Sequence, residues 1–242
     1  MTTLIKFIVA TVLSLMLFSC NFDINLGSGV RGDGNVITKE RVINQSFSTI
    51  KAMEGLNVHI TQGDSESITV VADKNLHELI ITDVENGVLK IHTKEQINKA
   101  SSKKINITFK DVSKIISSSG SNIYTTDLMT IEHLDLKSSS GSNIKLEVKS
   151  NTITCKSSSG SNLRLSGQTT KLNATASSGS NIKAADLIAE SSEIKASSGA
   201  NVTINTSNTL MARASSGADI RYYGNPKTVD KNDSSSGSIK QK

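Results

Sequence analysis

The sequence predicts an all-β protein, a parallel β-helix whose coils are each about 20 residues long. The first observation is a recurring phrase: S-S-S-G-S-N-I at residues 117–123 and 138–144, S-S-S-G-S-N-L at 157–163, and S-S-G-S-N-I at 177–182. It drifts to S-S-G-A-N-V at 197–202, S-S-G-A-D-I at 215–220 and S-S-S-G-S-I at 234–239. Its glycines, Gly120, Gly141, Gly160, Gly179, Gly199, Gly217 and Gly237, stand 21, 19, 19, 20, 18 and 20 residues apart. A fixed step of this size means a stack of like units, each touching only its neighbours.

The second observation is alternation after each glycine. Ile123, Ile144, Leu163, Ile182, Val202 and Ile220 form an apolar column, and two residues on come Thr125, Leu146, Leu165, Ala184, Ile204 and Tyr222. Between them stand Tyr124, Lys145, Arg164, Lys183, Thr203 and Arg221. Period two is the mark of a strand with one face inward. The third observation is the same alternation before the glycine. Ile115, Leu136, Cys155, Ala174, Ile194 and Ala212 point in, as do the small Ser117, Ser138, Ser157, Ala176, Ala196 and Ala214. Ile116, Lys137, Lys156, Thr175, Lys195 and Arg213 lie between those columns. Each unit is therefore strand, tight glycine turn, strand and a return, and seven units at β spacing make a solenoid roughly 30 Å long with two main sheets. A helical solenoid shares the period but would show a 3.6-residue pattern, and none is present.

In chain order, residues 1–19 read as an export signal: Lys6, then an apolar run from Phe7 to Phe18, too short to span a membrane. The run ends Leu17-Phe18-Ser19-Cys20, which resembles the lipobox of bacterial lipoproteins, with Cys20 as the acylated residue. Several acyl chains would anchor the mature protein stably. Loss of residues 1–19 removes one Lys and no acid, leaving 26 Lys and Arg against 22 acids, a mild +4. Residues 20–34 read as a tether, which contains the tripeptide Arg31-Gly32-Asp33. Residues 35–110 carry strand-like runs at 58–61, 68–72, 79–82, 88–92 and 105–109 with a hairpin turn at Asn86-Gly87, and are expected to cap the solenoid with irregular coils. Residues 111–224 are the regular repeats. Residues 225–242 contain the only proline, Pro226, and read as a ragged tail.

The chemistry-bearing residues are sparse. Cys155, left alone once Cys20 is lipidated, falls in an inward column and reads as core. His59, His77, His92 and His133 have no metal-ligand spacing, and no cofactor is implied. Asp135 and Glu193 stand singly, without the paired carboxylates a glycosidase or lyase needs. With no Trp and six aromatic residues from Phe22 onward, stacking platforms for nucleic acid are scarce. What remains is a basic outer surface: Lys145, Arg164, Lys183 and Arg221 after the turn, and Lys137, Lys156, Lys195 and Arg213 before it. These would attract an anionic glycan or an acidic protein, and equally serve as ordinary solubilising residues. Asn122, Asn143, Asn162, Asn181 and Asn201 form a column expected to bond amide to amide as a structural ladder.

The lipobox, Gly34-Asn35-Val36 through Arg41-Val42, Phe47-Ser48-Thr49-Ile50, the block Val58-His59-Ile60-Thr61-Gln62-Gly63-Asp64 and the serial Gly-Ser-Asn-Ile units together resemble the DUF2807 family. That family, the putative autotransporter adhesin head GIN domain common in Bacteroidetes, is matched over roughly residues 35–223. The resemblance implies a right-handed β-helix, similar in shape to pectin-lyase-like proteins but without their catalytic residues, and a role in adhesion. The expected function is thus a non-enzymatic outer-membrane lipoprotein that presents a binding surface. A self-assembling envelope protein, homo-oligomeric through its solenoid, is the alternative, and a degenerate polysaccharide-active enzyme the second. The membrane face, periplasmic or external, is left open.

Overall fold

The structure is a computed structural model that describes residues 29–234 and 236–242, so residues 1–19 and Cys20 lie outside the described residues. Its strands are β1 Val30–Arg31, β2 Val36–Arg41, β3 Thr49–Ala52, β4 Asn57–Gln62, β5 Ser67–Asp73, β6 Ile80–Glu85, β7 Val88–Thr93, β8 Ile97–Lys99, β9 Lys103–Phe109 and β10 Lys114–Ser117. They continue as β11 Asn122–Thr125, β12 Met129–Ser138, β13 Asn143–Ser157, β14 Asn162–Ala176, β15 Asn181–Ala196, β16 Asn201–Ala214, β17 Asp219–Tyr223, β18 Thr228–Asp233 and β19 Ser238–Gln241. From β10 to β19 all pairings are parallel, and the chain is a β-solenoid of about seven turns.

Each regular coil has one sharp corner and one gentle one. The sharp corner is the Ser-Ser-Gly-Ser segment. At Ser118-Ser119-Gly120-Ser121 the last amide donates to the first carbonyl at 3.1 Å, with φ of +51° at Ser119 and +72° at Gly120. Two successive positive φ values make a type I′ turn. The same pair of angles recurs at Ser140-Gly141, Ser159-Gly160, Ser178-Gly179, Ser198-Gly199 and Ser216-Gly217. The serine therefore shares the strained backbone that the sequence assigned to glycine alone. The gentle corner is a bend inside one continuous strand, so the expected return loop is part of β13, β14, β15 and β16. Buried hydroxyls hold that bend. Ser150 Oγ lies 3.0 Å from the Glu132 carbonyl and 3.1 Å from that of Thr152, and Thr169 repeats the arrangement one coil on.

These corners divide the coil into an entry strand, which leads into the glycine, and an exit strand, which leaves it. Both bury one side in a common core, with Leu136, Ile144, Ile153, Leu163, Leu172, Ile182 and Ile194 each no more than 1 % exposed. Register aligns like with like: Ile144 beside Leu163 and Ile182, Ile153 beside Leu172. Behind the sharp corner the inward small residues are hydrogen-bonded. Ser117 Oγ meets Ser121 Oγ at 2.8 Å, Ser138 meets Ser142 at 3.0 Å, and Ser157 meets Ser161 at 2.9 Å. Ser142 Oγ also donates to the Ser117 carbonyl of the coil below at 2.7 Å. Higher in the stack the same places are Ala196 with Ala200 and Ala214 with Ala218, all buried.

The N-terminal part builds its coils out of chain order. On the entry side β7 lies beside β3, and β3 beside β10. On the exit side β9 lies beside β4, and β4 beside β11. The coil of residues 49–62 thus sits between one made by residues 88–109 and one made by residues 114–125. Its corner, Glu54-Gly55, has φ of +60° and +68°, the geometry of the Ser-Gly corners. Antiparallel strands close the lower edges, β6 against β7, β5 against β9 and β2 against β5. Covering a parallel edge in this way blocks further pairing.

Two boundaries differ from the sequence reading. Residues 29–34 belong to the fold rather than to a tether. Strand β1 pairs with β8, and the buried Asp73 carboxylate accepts amides from Gly34 at 3.0 Å, Ser101 at 3.2 Å and Ser102 at 2.9 Å. Burial alone would raise the Asp73 pKa, but these amide donors outweigh it and hold the carboxyl below its ordinary value. At the other end, residues 225–242 are not a ragged tail. Strand β18 pairs in parallel with β16, and β19 with β17, adding one more coil. The signal was weak because every residue of β18 is exposed. Lys231 occupies the inward column above Ala212, with Nζ 5.4 Å from the centre of the Tyr222 ring. An inward-pointing charge on a last strand is a barrier to edge-to-edge pairing.

Candidate binding face

The entry strands stack in the order β7, β3, β10, β12, β13, β14, β15, β16, β18. One outward column along this stack reads Lys90, Lys51, Ile116, Lys137, Lys156, Thr175, Lys195, Arg213, Asn232. Two cations are followed by one neutral residue, three times over. Where the column is neutral within the stack, the same strand supplies a cation two or four residues earlier: Lys114 on β10 and Lys171 on β14. Eight successive strands therefore each carry a cation, one per rung of roughly 4.8 Å.

Acids neutralise part of this row. Lys114 pairs with Asp135 at 2.8 Å, Lys195 with Glu193 at 2.8 Å, and Lys90 with Glu85. The hydrogen bond to Lys195 lowers the Glu193 pKa, and that to Asp135 raises the pKa of Lys114. Lys51, Lys137, Lys156, Lys171 and Arg213 have no ion pair among the described residues. A shallow cavity of about 540 Å³ lies over the middle of the face; its lining includes Lys114, Asp135, Lys137, Thr152, Thr154 and Lys156. A second, of about 330 Å³, includes Thr175, Lys195, Arg213 and Asn232 in its lining.

The other predicted cations occupy the outer side of the exit strands, a different surface. Lys145, Arg164 and Lys183 are neighbours there, followed by Thr203, Arg221 and Lys240. This row is shorter, and two of its five cations are paired: Arg164 with Asp186 at 3.1 Å and Arg221 with Asp219 at 2.6 Å. Below Lys145 the column continues as Tyr124, His59 and Asn106, with no cation. Burial, and then the charge of Lys104, lower the His59 pKa, which favours its neutral form. The eight predicted cations thus form two rows on two surfaces. Sequence reasoning missed Lys51, Lys90, Lys114 and Lys171, and only the lysine-bearing alternation around them hinted at it.

Along the exit side of the sharp corner the asparagines bond in series. The amide of Asn122 donates to Asn57 at 2.8 Å, Asn143 to Asn122 at 2.8 Å, Asn162 to Asn143 at 3.0 Å, Asn181 to Asn162 at 3.0 Å and Asn201 to Asn181 at 3.3 Å. Asn57 is a rung the repeat pattern had not included.

Residues 46–226 match the family described as putative auto-transporter adhesin, head GIN domain. The chain belongs to this family. Crystal structures with the same fold include a putative adhesin from Bacteroides fragilis, 20 % identical, with a TM-score of 0.82 over 88 % of this chain and 100 % of that one. A putative lipid binding protein from Parabacteroides distasonis is 19 % identical, with a TM-score of 0.71 over 88 % of this chain and 99 % of that one. A putative adhesin from Parabacteroides merdae, also 19 % identical, has a TM-score of 0.71 over 89 % and 100 %. At these identities the likeness speaks for the fold. Comparison with curated proteins finds no match.

The remaining candidates of this head GIN domain are scattered. Cys155 is fully buried, and burial pushes its thiol up to about 12, so it is inert core. His77 is buried against the Ile37 and Ala72 carbonyls, far along the chain from His133 on the entry face. Arg31-Gly32-Asp33 is held in place rather than displayed on a free loop. The Gly32 amide donates to the Lys99 carbonyl at 2.7 Å, and Asp33 accepts the Asn35 amide at 3.0 Å.

Proposed function

We propose that this head GIN domain is a non-enzymatic adhesion module, anchored in the outer membrane by lipid on Cys20, whose entry face meets an anionic ligand. The observation that carries the reading is the run of eight cation-bearing strands on one outer surface. Membership of a family described as adhesins supports it, as does the lipobox at Leu17-Phe18-Ser19-Cys20. Self-stacking into filaments is less favoured, because Lys231 points inward at the last coil and antiparallel strands cover the first.

The test is protease treatment of intact cells, with a periplasmic protein as leak control. Cleavage of the mature chain on intact cells is expected, together with loss of attachment in a Lys137→Gln/Lys156→Gln variant. Protection until the outer membrane is broken would rule out adhesion. Labelling with an acyl-chain probe, lost in Cys20→Ala, tests the anchor separately.

A further inference from the structure

We infer that the ligand of the entry face is a linear acidic polysaccharide lying along the solenoid axis, across the strands, in contact with successive rungs. This rests on the binding-face reading and adds the ligand's class, direction and length. The direction follows from register. In-register parallel strands place equivalent side chains in straight rows perpendicular to the strands, so the cations line up along the axis. Seven steps between the eight strands give a row roughly 34 Å long. A short anion would meet two cations of the column before reaching a neutral rung. A chain would span all three pairs.

The class follows from what lies beside the charges. Thr152, Thr154, Asn173 and Thr175 stand on the same outer surface between Lys137 and Lys195, offering donors and acceptors suited to sugar hydroxyls, while the acids that flank Thr154 and Asn173 in their column, Asp135 and Glu193, are held by Lys114 and Lys195. No Phe, Tyr or Trp stands in the outward columns of the entry strands, so bases have no stacking partner. Duplex DNA carries one charge per about 1.7 Å of axis, far denser than one cation per roughly 4.8 Å. One rung is instead comparable to one sugar residue of an extended chain. Acid groups on successive or alternate sugars would meet lysines, and the intervening hydroxyls would meet threonines.

The experiment uses the mature chain, residues 20–242, with Cys20→Ser so that no lipid is attached. Oligogalacturonates of increasing length, from less than half the row to longer than all of it, are titrated at low salt and again at physiological salt. Affinity is expected to rise with length until the oligomer covers the row and then to level off, and to fall with salt. Lys137→Gln/Lys156→Gln should weaken binding on the order of tenfold, and Lys145→Gln/Lys183→Gln, which removes the same charge from the exit face, less than about twofold. Equal losses in the two variants, or affinity independent of length, would overturn the proposal. Tighter binding of poly-glutamate than of oligogalacturonate would overturn the polysaccharide in favour of an acidic protein. If cells lose attachment in the entry-face variant while no oligosaccharide binds, the ligand class is wrong and the adhesion reading stands.

Discussion

In the upper coils the outward columns pair residues 18 to 21 apart, as Lys195 with Arg213 and Asn122 with Asn143 show, whereas Asn122 bonds to Asn57 across 65 residues. The rungs are alike in geometry all the same. Glu54-Gly55 makes the turn that Ser119-Gly120 makes, and Asn57 continues the ladder of amides. What the fold requires of each coil is therefore the pair of positive φ values and one inward-facing strand on either side. Chain order is free to vary. The upper coils differ in how the corner is filled, with bonded serines low in the stack and alanines above.

Seven variants probe that contrast. Gly167→Val should do the most damage, because a Cβ there would lie 2.2 Å from the Val148 carbonyl oxygen, at a φ of +109°. We expect a loss of about 3 kcal/mol or more in chemical denaturation, with coils separating at β13 and β14. Next, Ser142→Ala should cost about 1 kcal/mol, since it removes the buried bonds that its hydroxyl makes with Ser138 Oγ and the Ser117 carbonyl. The double variant Ser138→Ala/Ser142→Ala copies the Ala196 and Ala200 corner and should lie closer to the parent than the single. An additive loss in the double would show that the two kinds of corner are not interchangeable.

Ser159→Gly should stabilise by about 1 kcal/mol by relieving a left-handed serine, while Gly160→Ala should lose about as much although its Cβ meets nothing within 4 Å. At the lower corner the sign should reverse. Glu54→Gly gives up the bonds to the Thr93 amide at 2.6 Å and hydroxyl at 2.9 Å, and a net loss there would separate strain from side-chain clamping. The smallest effect is expected on the entry face. Lys137→Gln/Lys156→Gln should change stability by no more than about 0.5 kcal/mol, and upward, because adjacent like charges repel. A marked loss would mean that these lysines serve the fold rather than a ligand.

The repeats were legible because spatial neighbours there are also neighbours at a constant distance in the chain. Period-two alternation then assigned inward and outward columns, and the structure keeps Ile144, Leu163 and Ile182 in one row. Where that relation breaks, the signal disappears. Glu54-Gly55-Leu56-Asn57-Val58 is a repeat unit, but its partner comes 65 residues later and its corner has no serine. Lys51 and Lys90 extend the cationic row for the same hidden reason: β7 and β3 join it out of turn. The clasp at Asp73 was invisible because a buried carboxylate that accepts backbone amides has no spacing rule. The final coil was read as a tail, although Gly237 continues the repeat spacing, because its strands bury almost nothing, with Ile239 their single buried apolar side chain.

Register between like units also sets a quantum of growth. Duplication of one segment such as residues 158–176 would insert a coil whose top and bottom match its neighbours, leaving both ends of the domain as they were. The molecule would lengthen by one strand spacing, roughly 4.8 Å, and nothing else would need to be redesigned. Homologues built on this plan should differ in length by whole coils rather than by single residues, and a lineage could adjust how far its surface reaches by copying or losing a paragraph of its own sequence.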